Sequence, residues 1–213
     1  MSQVSLQMGR NEMRWLWVIG AVVFLSGCFT AGKRGGNSAL AVYDLGQVSS
    51  SPVVVENFGS VALEVRAPLW FDALGIQYRL AYVDSSRLRE YGQARWAGPP
   101  AQLIQQRLSQ QLGLKSVGQG KTACVLRIDI IEFSQVFDST ERSRGVLQGR
   151  AQWLDRSRNL LGELKLDIQV DSRSADSRGA VSALQGTVEK LEYDLRECQK
   201  SLSASGKTAN CSA

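Results

Sequence analysis

The chain has 213 residues, of which 44% are hydrophobic and 21% charged, a globular composition that argues against intrinsic disorder. Its formal charge is +5, but single Arg and Lys residues alternate with Asp and Glu, so the excess reads as solvated surface and not as a nucleic-acid footprint. There is no histidine. That removes His-based acid–base catalysis, Ser-His and Cys-His nucleophile activation and most zinc sites. No GxSxG elbow, GxxxxGK[ST] loop or paired CxxC is present either. The expectation is a protein that is not an enzyme and takes neither cofactor nor metal.

The chain begins with Arg10 and Arg14, an apolar run from Trp15 to Leu25, and the small residues Ser26 and Gly27 before Cys28. This order of charge, apolar run and small residues is that of a secretory signal. Leu25-Ser26-Gly27-Cys28 resembles the lipobox of bacterial lipoprotein precursors. The resemblance implies that the Cys28 thiol receives a diacylglyceryl group, that residues 1–27 are cut away, and that the new amine is acylated with a chain such as palmitate. An uncleaved anchor is the alternative, but the run is short against the roughly 20 residues that cross a bilayer. Two or more acyl chains suffice for stable anchoring. Loss of residues 1–27 lowers the charge by one and leaves ample chain for one domain with a real core.

Residues 28–38 are Gly-, Ser- and Lys-containing and aperiodic, as a membrane tether should be. Leu40 to Leu45 reads as a first strand. Gly46 to Gly59 is a connection with an extended piece at Val53-Val54-Val55. Val61 to Arg66 and Ile76 to Tyr82 alternate as strands. Asp84 to Tyr91 is polar and reads as a turn into a short edge strand. Cys124–Ile131, Leu147–Trp153 and Leu164–Val170 alternate again, the last two joined by a polar hairpin connection at Asp155–Asn159. Such alternation favours an antiparallel or mixed sheet with one wet face.

Two helices follow from the same reading. One starts at Pro99-Pro100, carries Leu103, Ile104, Leu108 and Leu112 on one side, and stops at Gly113. The other runs from about Arg178 to Lys200 with Val181, Leu184, Val188, Leu191 and Leu195 as a narrow stripe. A helix lying on a sheet is favoured over a coiled coil, which needs sustained heptads. The predicted fold is α+β, a two-layer sandwich with one antiparallel or mixed sheet and two helices on one face. Its domain is residues 39–200, followed by a C-terminal tail at 201–213.

Tyr43-Asp44-Leu45-Gly46, Ile76-Gln77-Tyr78-Arg79-Leu80, Leu88-Arg89-Glu90-Tyr91, Ala94-Arg95-Trp96-Ala97-Gly98-Pro99-Pro100 and Gly179-Ala180-Val181 occur in that order. Together they resemble the ABC-type transport auxiliary lipoproteins of the PqiC kind, over most of residues 40–195. The Trp-Ala-Gly-Pro-Pro block is the specific part. The resemblance implies a lipoprotein facing the periplasm beside an MCE-domain protein and ABC transporter subunits, which move lipids or other hydrophobic compounds between membranes. Phe29 follows Cys28 where an Asp would signal retention at the inner membrane, so the outer membrane is implied. The family-motif residues Tyr78, Arg79, Tyr91, Arg95, Trp96, Pro99 and Pro100 are then candidates for partner docking. Each also has a packing reading: Trp96 as a core plug at the sheet–helix corner, Tyr78 facing the core and Arg79 the wet side. Self-association is left open.

Of the other cysteines, Cys124 shares the face of Leu126 and Ile128 and reads as a buried free thiol. Cys198 and Cys211, in an oxidising compartment, either pair and staple the tail to the last helix or remain two free thiols. Two rival functions stand beside the transport reading. One is an outer-membrane assembly lipoprotein, LptE-like or TolB-like in layout, aiding lipopolysaccharide or β-barrel insertion. The other is a hydrolase using Asp129 and Glu132, which the odd spacing puts on opposite strand faces.

Overall fold

The computed structural model describes residues 39–47, 58, 60–118 and 122–211. The predicted signal, Cys28, the tether at 28–38 and the extended piece at 53–55 lie outside the described residues. The elements are β1 (Ala41–Tyr43), β2 (Val61–Arg66), β3 (Gly75–Leu80), a one-turn helix α1 (Ala81–Asp84), β4 (Ser85–Trp96), α2 (Pro100–Leu112), β5 (Lys115–Ser116), β6 (Cys124–Phe137), β7 (Ser143–Leu154), β8 (Leu160–Asp171) and α3 (Ser177–Ala204). Short 3-10 turns occupy Leu69–Asp72 and Ala209–Cys211. The fold is α+β, with the eight strands in one mixed sheet. Among the described residues no helix is long and apolar enough to cross a membrane.

The sheet grows from β6. Strand β7 runs antiparallel along one flank, from Val125 opposite Leu154 to Phe137 opposite Ser143. Along the other flank β2 pairs with the first half of β6 and β3 with its end, both parallel. Two strands therefore follow one another beside a single long one. Outside them, β4 is antiparallel to β3, β1 parallel to β4, β5 parallel to β2 and β8 antiparallel to β7.

Alternation decides which side chains are buried. Cys124, Leu126, Ile128 and Ile130 of β6 join Leu63, Leu147, Ala151, Trp153, Leu166 and Ile168 in one apolar cluster. Ile104, Leu108 and Leu112 of α2, and the whole predicted stripe of α3, enter the same cluster. Full burial of each such aliphatic side chain is worth about 1.5–3 kcal/mol. Helix α2 opens with Pro100 in its first turn and stops at Gly113, whose φ of 64° is the left-handed cap conformation that glycine adopts without cost. Helix α3 starts where the Asp176 side chain accepts a hydrogen bond from the Gly179 N–H (2.8 Å). The buried Trp153 Nε1–H donates to Gln199 Oε1 at 2.8 Å, tying the helix to β7. The alternate residues of the strands form a charge ladder, in which Glu64 receives Arg66, Arg127 and Arg158, and Asp129 receives Arg150.

Several expectations are corrected. The polar stretch at 84–91 is not a turn before a short edge strand: one helical turn precedes β4, which is 12 residues long. Its polarity reflects its place at the sheet margin, where β1 covers only Ala94 to Trp96. The folded unit also extends past residue 200, since α3 continues to Ala204 and Leu202, Thr208 and Cys211 are buried.

The cysteines pair differently from the expected Cys198–Cys211. Cys124 and Cys211 form the disulfide, and Cys198 is free. The reason is the register of β2. Val61 lies opposite Cys124, and the neighbouring Ser60 N–H donates to the Cys211 carbonyl (3.1 Å), so the returning chain delivers Cys211 to β6.

Asp129 and Glu132 do not lie on opposite faces. A bulge between Ile130 and Glu132 adds one residue, leaving Ile131 exposed. Asp129 then sits opposite Arg150 and Glu132 opposite Gln148, two residues apart on β7 and hence on one face. Gly149 faces the bulge, and a Cβ there would lie 2.1 Å from the Asp129 carbonyl oxygen.

Candidate functional site

Past the bulge the inward phase of β6 moves to Phe133, Gln135 and Phe137, and a polar residue takes a fully buried core position. Gln135 Oε1 accepts from the Tyr91 hydroxyl at 2.5 Å. Its amide donates to Ser143 Oγ (2.8 Å), Ser172 Oγ (3.2 Å) and the Ser174 carbonyl (3.4 Å). Ser174 Oγ in turn donates to Asp176, the cap of α3. One side chain thus joins the margin strand β4, the β6–β7 hairpin and the start of the long helix. Burial, with Tyr78 and the Asp176 carboxylate nearby, pushes the Tyr91 phenol above its ordinary value. Hydrogen bonds from Gly179 N–H and Ser174 hold Asp176 below the usual carboxylate range.

Two of the candidate docking residues, Tyr78 and Arg79, flank this hub. The Tyr78 ring lies 4.7 Å from that of Tyr91 and edge-on to Phe137 at 5.9 Å. Arg79, expected on the wet side, is half-buried. Its guanidinium donates to both oxygens of Glu132 (3.1 and 3.0 Å) and to the carbonyls of Ser85 and Ser86 (3.3 and 3.2 Å). Ser134 Oγ donates to the same carboxylate. Arg79 therefore pins the turn at the start of β4 to β6 by a bidentate, charge-assisted pair.

Further along β4 the motif divides. Trp96 is buried with its ring 5.9 Å from Phe133, which corrects its candidacy as a docking residue and leaves the core-plug reading. Its N–H donates to the Leu74 carbonyl (2.7 Å), and Ala97 N–H donates to Tyr43 (2.7 Å), so this corner locks three strands. Pro99 precedes α2 and Pro100 is buried in its first turn. Arg95 remains exposed. Cys28 lies outside the described residues.

The side chains of the hub are hydrogen-bonded to one another, the two carboxylates of the rival hydrolase reading are each held by an arginine, and among the described residues no group of three or more His, Cys, Asp or Glu could hold a metal. What the arrangement can do is fix the relative placement of β4, β6 and α3. Gln135 was missed in the sequence because the reading of β6 ended at Ile131. The signal was the shift of apolar residues from even positions to Phe133 and Phe137.

No family profile and no curated relative matches the chain. Solved structures share its fold. A crystal structure from Xanthomonas campestris, described as DUF330, superposes with a TM-score of 0.65 at 14% identity, covering 79% of this chain and 99% of the other. Another, described as an uncharacterized protein, gives 0.59 at 16% identity over 75% of this chain and 99% of its own. At these identities the likeness is one of fold.

Proposed function

We propose that the chain is a non-enzymatic, lipid-anchored lipoprotein on the periplasmic face of the outer membrane, and an accessory subunit of an MCE/ABC-type system that moves lipids or other hydrophobic compounds. The observation that carries the compartment is the buried Cys124–Cys211 disulfide, a bond that persists in oxidising surroundings and is rare in the cytosol. It is independent of the lipobox yet points to the same export. The transport role rests on the ordered motif blocks, whose residues hold the sheet–helix corner together.

The mechanism is positional. Acyl chains on Cys28 hold the domain at the membrane, and the domain offers a rigid surface to the transport partner. In the two-layer arrangement, α2 and α3 share one face and the charge ladder occupies the other. Arg95 is the motif residue left free for docking. Affinity purification of the tagged protein from solubilised membranes tests this: MCE and ABC subunits should co-purify. Recovery of an outer-membrane barrel instead would favour the assembly lipoprotein.

A further inference from the structure

Leu69 and Trp70 are neighbours and are 85% and 61% exposed, more apolar surface than a soluble turn ordinarily leaves in water. The turn is held, not loose. Phe71 is buried beneath it and its N–H donates to the Pro68 carbonyl at 2.9 Å, so the exposure of its two neighbours is set by the fold. Two further apolar side chains, Leu40 and Val42, are exposed at the margin strand β1.

Register relates the two places. Val42 lies beside Arg95, and Arg95 beside Gly75, the first residue of the strand into which the turn feeds. Two strand spacings put Val42 and Gly75 about 10 Å apart. The chain reaches β1 from Cys28 through residues 29–40, which cannot span more than about 45 Å even when fully extended. A tether of that length keeps the folded domain within reach of the bilayer that an acylated Cys28 would enter. Exposed Arg95, beside Val42, suits anionic headgroups.

We infer that the Leu69–Trp70 turn seats on the lipid surface that holds the anchor, as a second contact that orients the domain; this rests on the lipid-anchor reading above. Leucine and an amphipathic indole are the residues that partition into the interface between headgroups and acyl chains.

The protein carries its own probe. Trp96 and Trp153 are buried, and Trp15 and Trp17 lie in the predicted signal, so Trp70 is the exposed indole of the folded domain. The membrane-extracted protein is reconstituted into phosphatidylethanolamine–phosphatidylglycerol vesicles with brominated acyl chains. Quenching of tryptophan emission is the expected result, with most of it lost in Trp70→Phe. Flotation with the vesicles but no quenching overturns the inference while leaving the anchor intact. A blue shift of Trp70 independent of bromine overturns it in favour of a second copy or a protein partner. Failure to float overturns the anchor instead. The turn is judged separately in the acylated protein: Leu69→Ser should lower the quenching of Trp70 about twofold, and an unchanged value overturns the inference.

Discussion

The two halves of β6 are secured by different chemistry. From Cys124 to Ile130 the strand is held within the apolar cluster that α2 and α3 also enter, and by the disulfide to Cys211. From Phe133 to Phe137 it is held by a buried amide that gathers Tyr91, Ser143, Ser172 and the Ser174 carbonyl. Apolar packing tolerates exchange of similar shapes, whereas a hydrogen-bonded hub specifies one set of partners. Tyr78, Arg79 and Tyr91 gather at the second half, where they fix strands in place.

The difference can be broken from either side. The largest effect is expected in the first half: Cys124→Ser or Cys211→Ser opens a loop with a sequence separation of 87, worth about 4–5 kcal/mol of loop-closure entropy. Urea denaturation should show it, and reductant should bring the native protein to nearly the same midpoint. In the second half, Gln135→Leu leaves the Tyr91 hydroxyl and two serines without their partner; Tyr91 and Ser172 are only half-buried, so water offsets part of the loss and the total is about 3 kcal/mol, the low end of 1–3 kcal/mol for each orphaned group. Tyr91→Phe should cost less, and the double variant should be non-additive.

Between the halves, Gly149→Ala drives a methyl into the Asp129 carbonyl and should cost about 1–3 kcal/mol, read in the same denaturation series. Its effect should spread to the Arg79–Glu132 pair, because the bulge sets the phase of Glu132. The smallest effect concerns the charge ladder. Burial raises the Glu64 pKa, but hydrogen bonds from Arg66 and Arg127 outweigh it and hold the group below its ordinary 4.5. A folded pKa lowered in this way gives stability that is present above about 4.5 and lost as pH falls through the folded value. Glu64→Gln should therefore flatten the acid limb of stability against pH and change little at neutral pH, as exposed pairs contribute only about 0–1 kcal/mol.

Local signals were legible in the sequence. The Pro99-Pro100 start and Gly113 stop of α2, the strand at Val61–Arg66, the Asp155–Asn159 hairpin and the stripe of α3 each depend on residues close together in the chain. What could not be read depends on distant pairing. Cys211 reaches Cys124 only because Ser60, far from both, bridges them. Parity failed at Ile131 because nothing in Ile130-Ile131-Glu132 announces a bulge; the apolar residues beyond it do. Arg79 was placed in water because its partner, Glu132, comes within reach only when β3 settles beside the end of β6.

The central claim is that Cys28 becomes an acylated amino terminus on an exported, disulfide-bonded domain. Intact mass of the protein extracted from membranes, with thiol alkylation before and after reduction, tests it most directly. The account predicts a chain beginning at Cys28 with a diacylglyceryl group and an amide-linked acyl chain, and one thiol, Cys198, reactive before reduction. A chain retaining residues 1–27, one without fatty acid, or one with Cys124, Cys198 and Cys211 all reactive before reduction would contradict it.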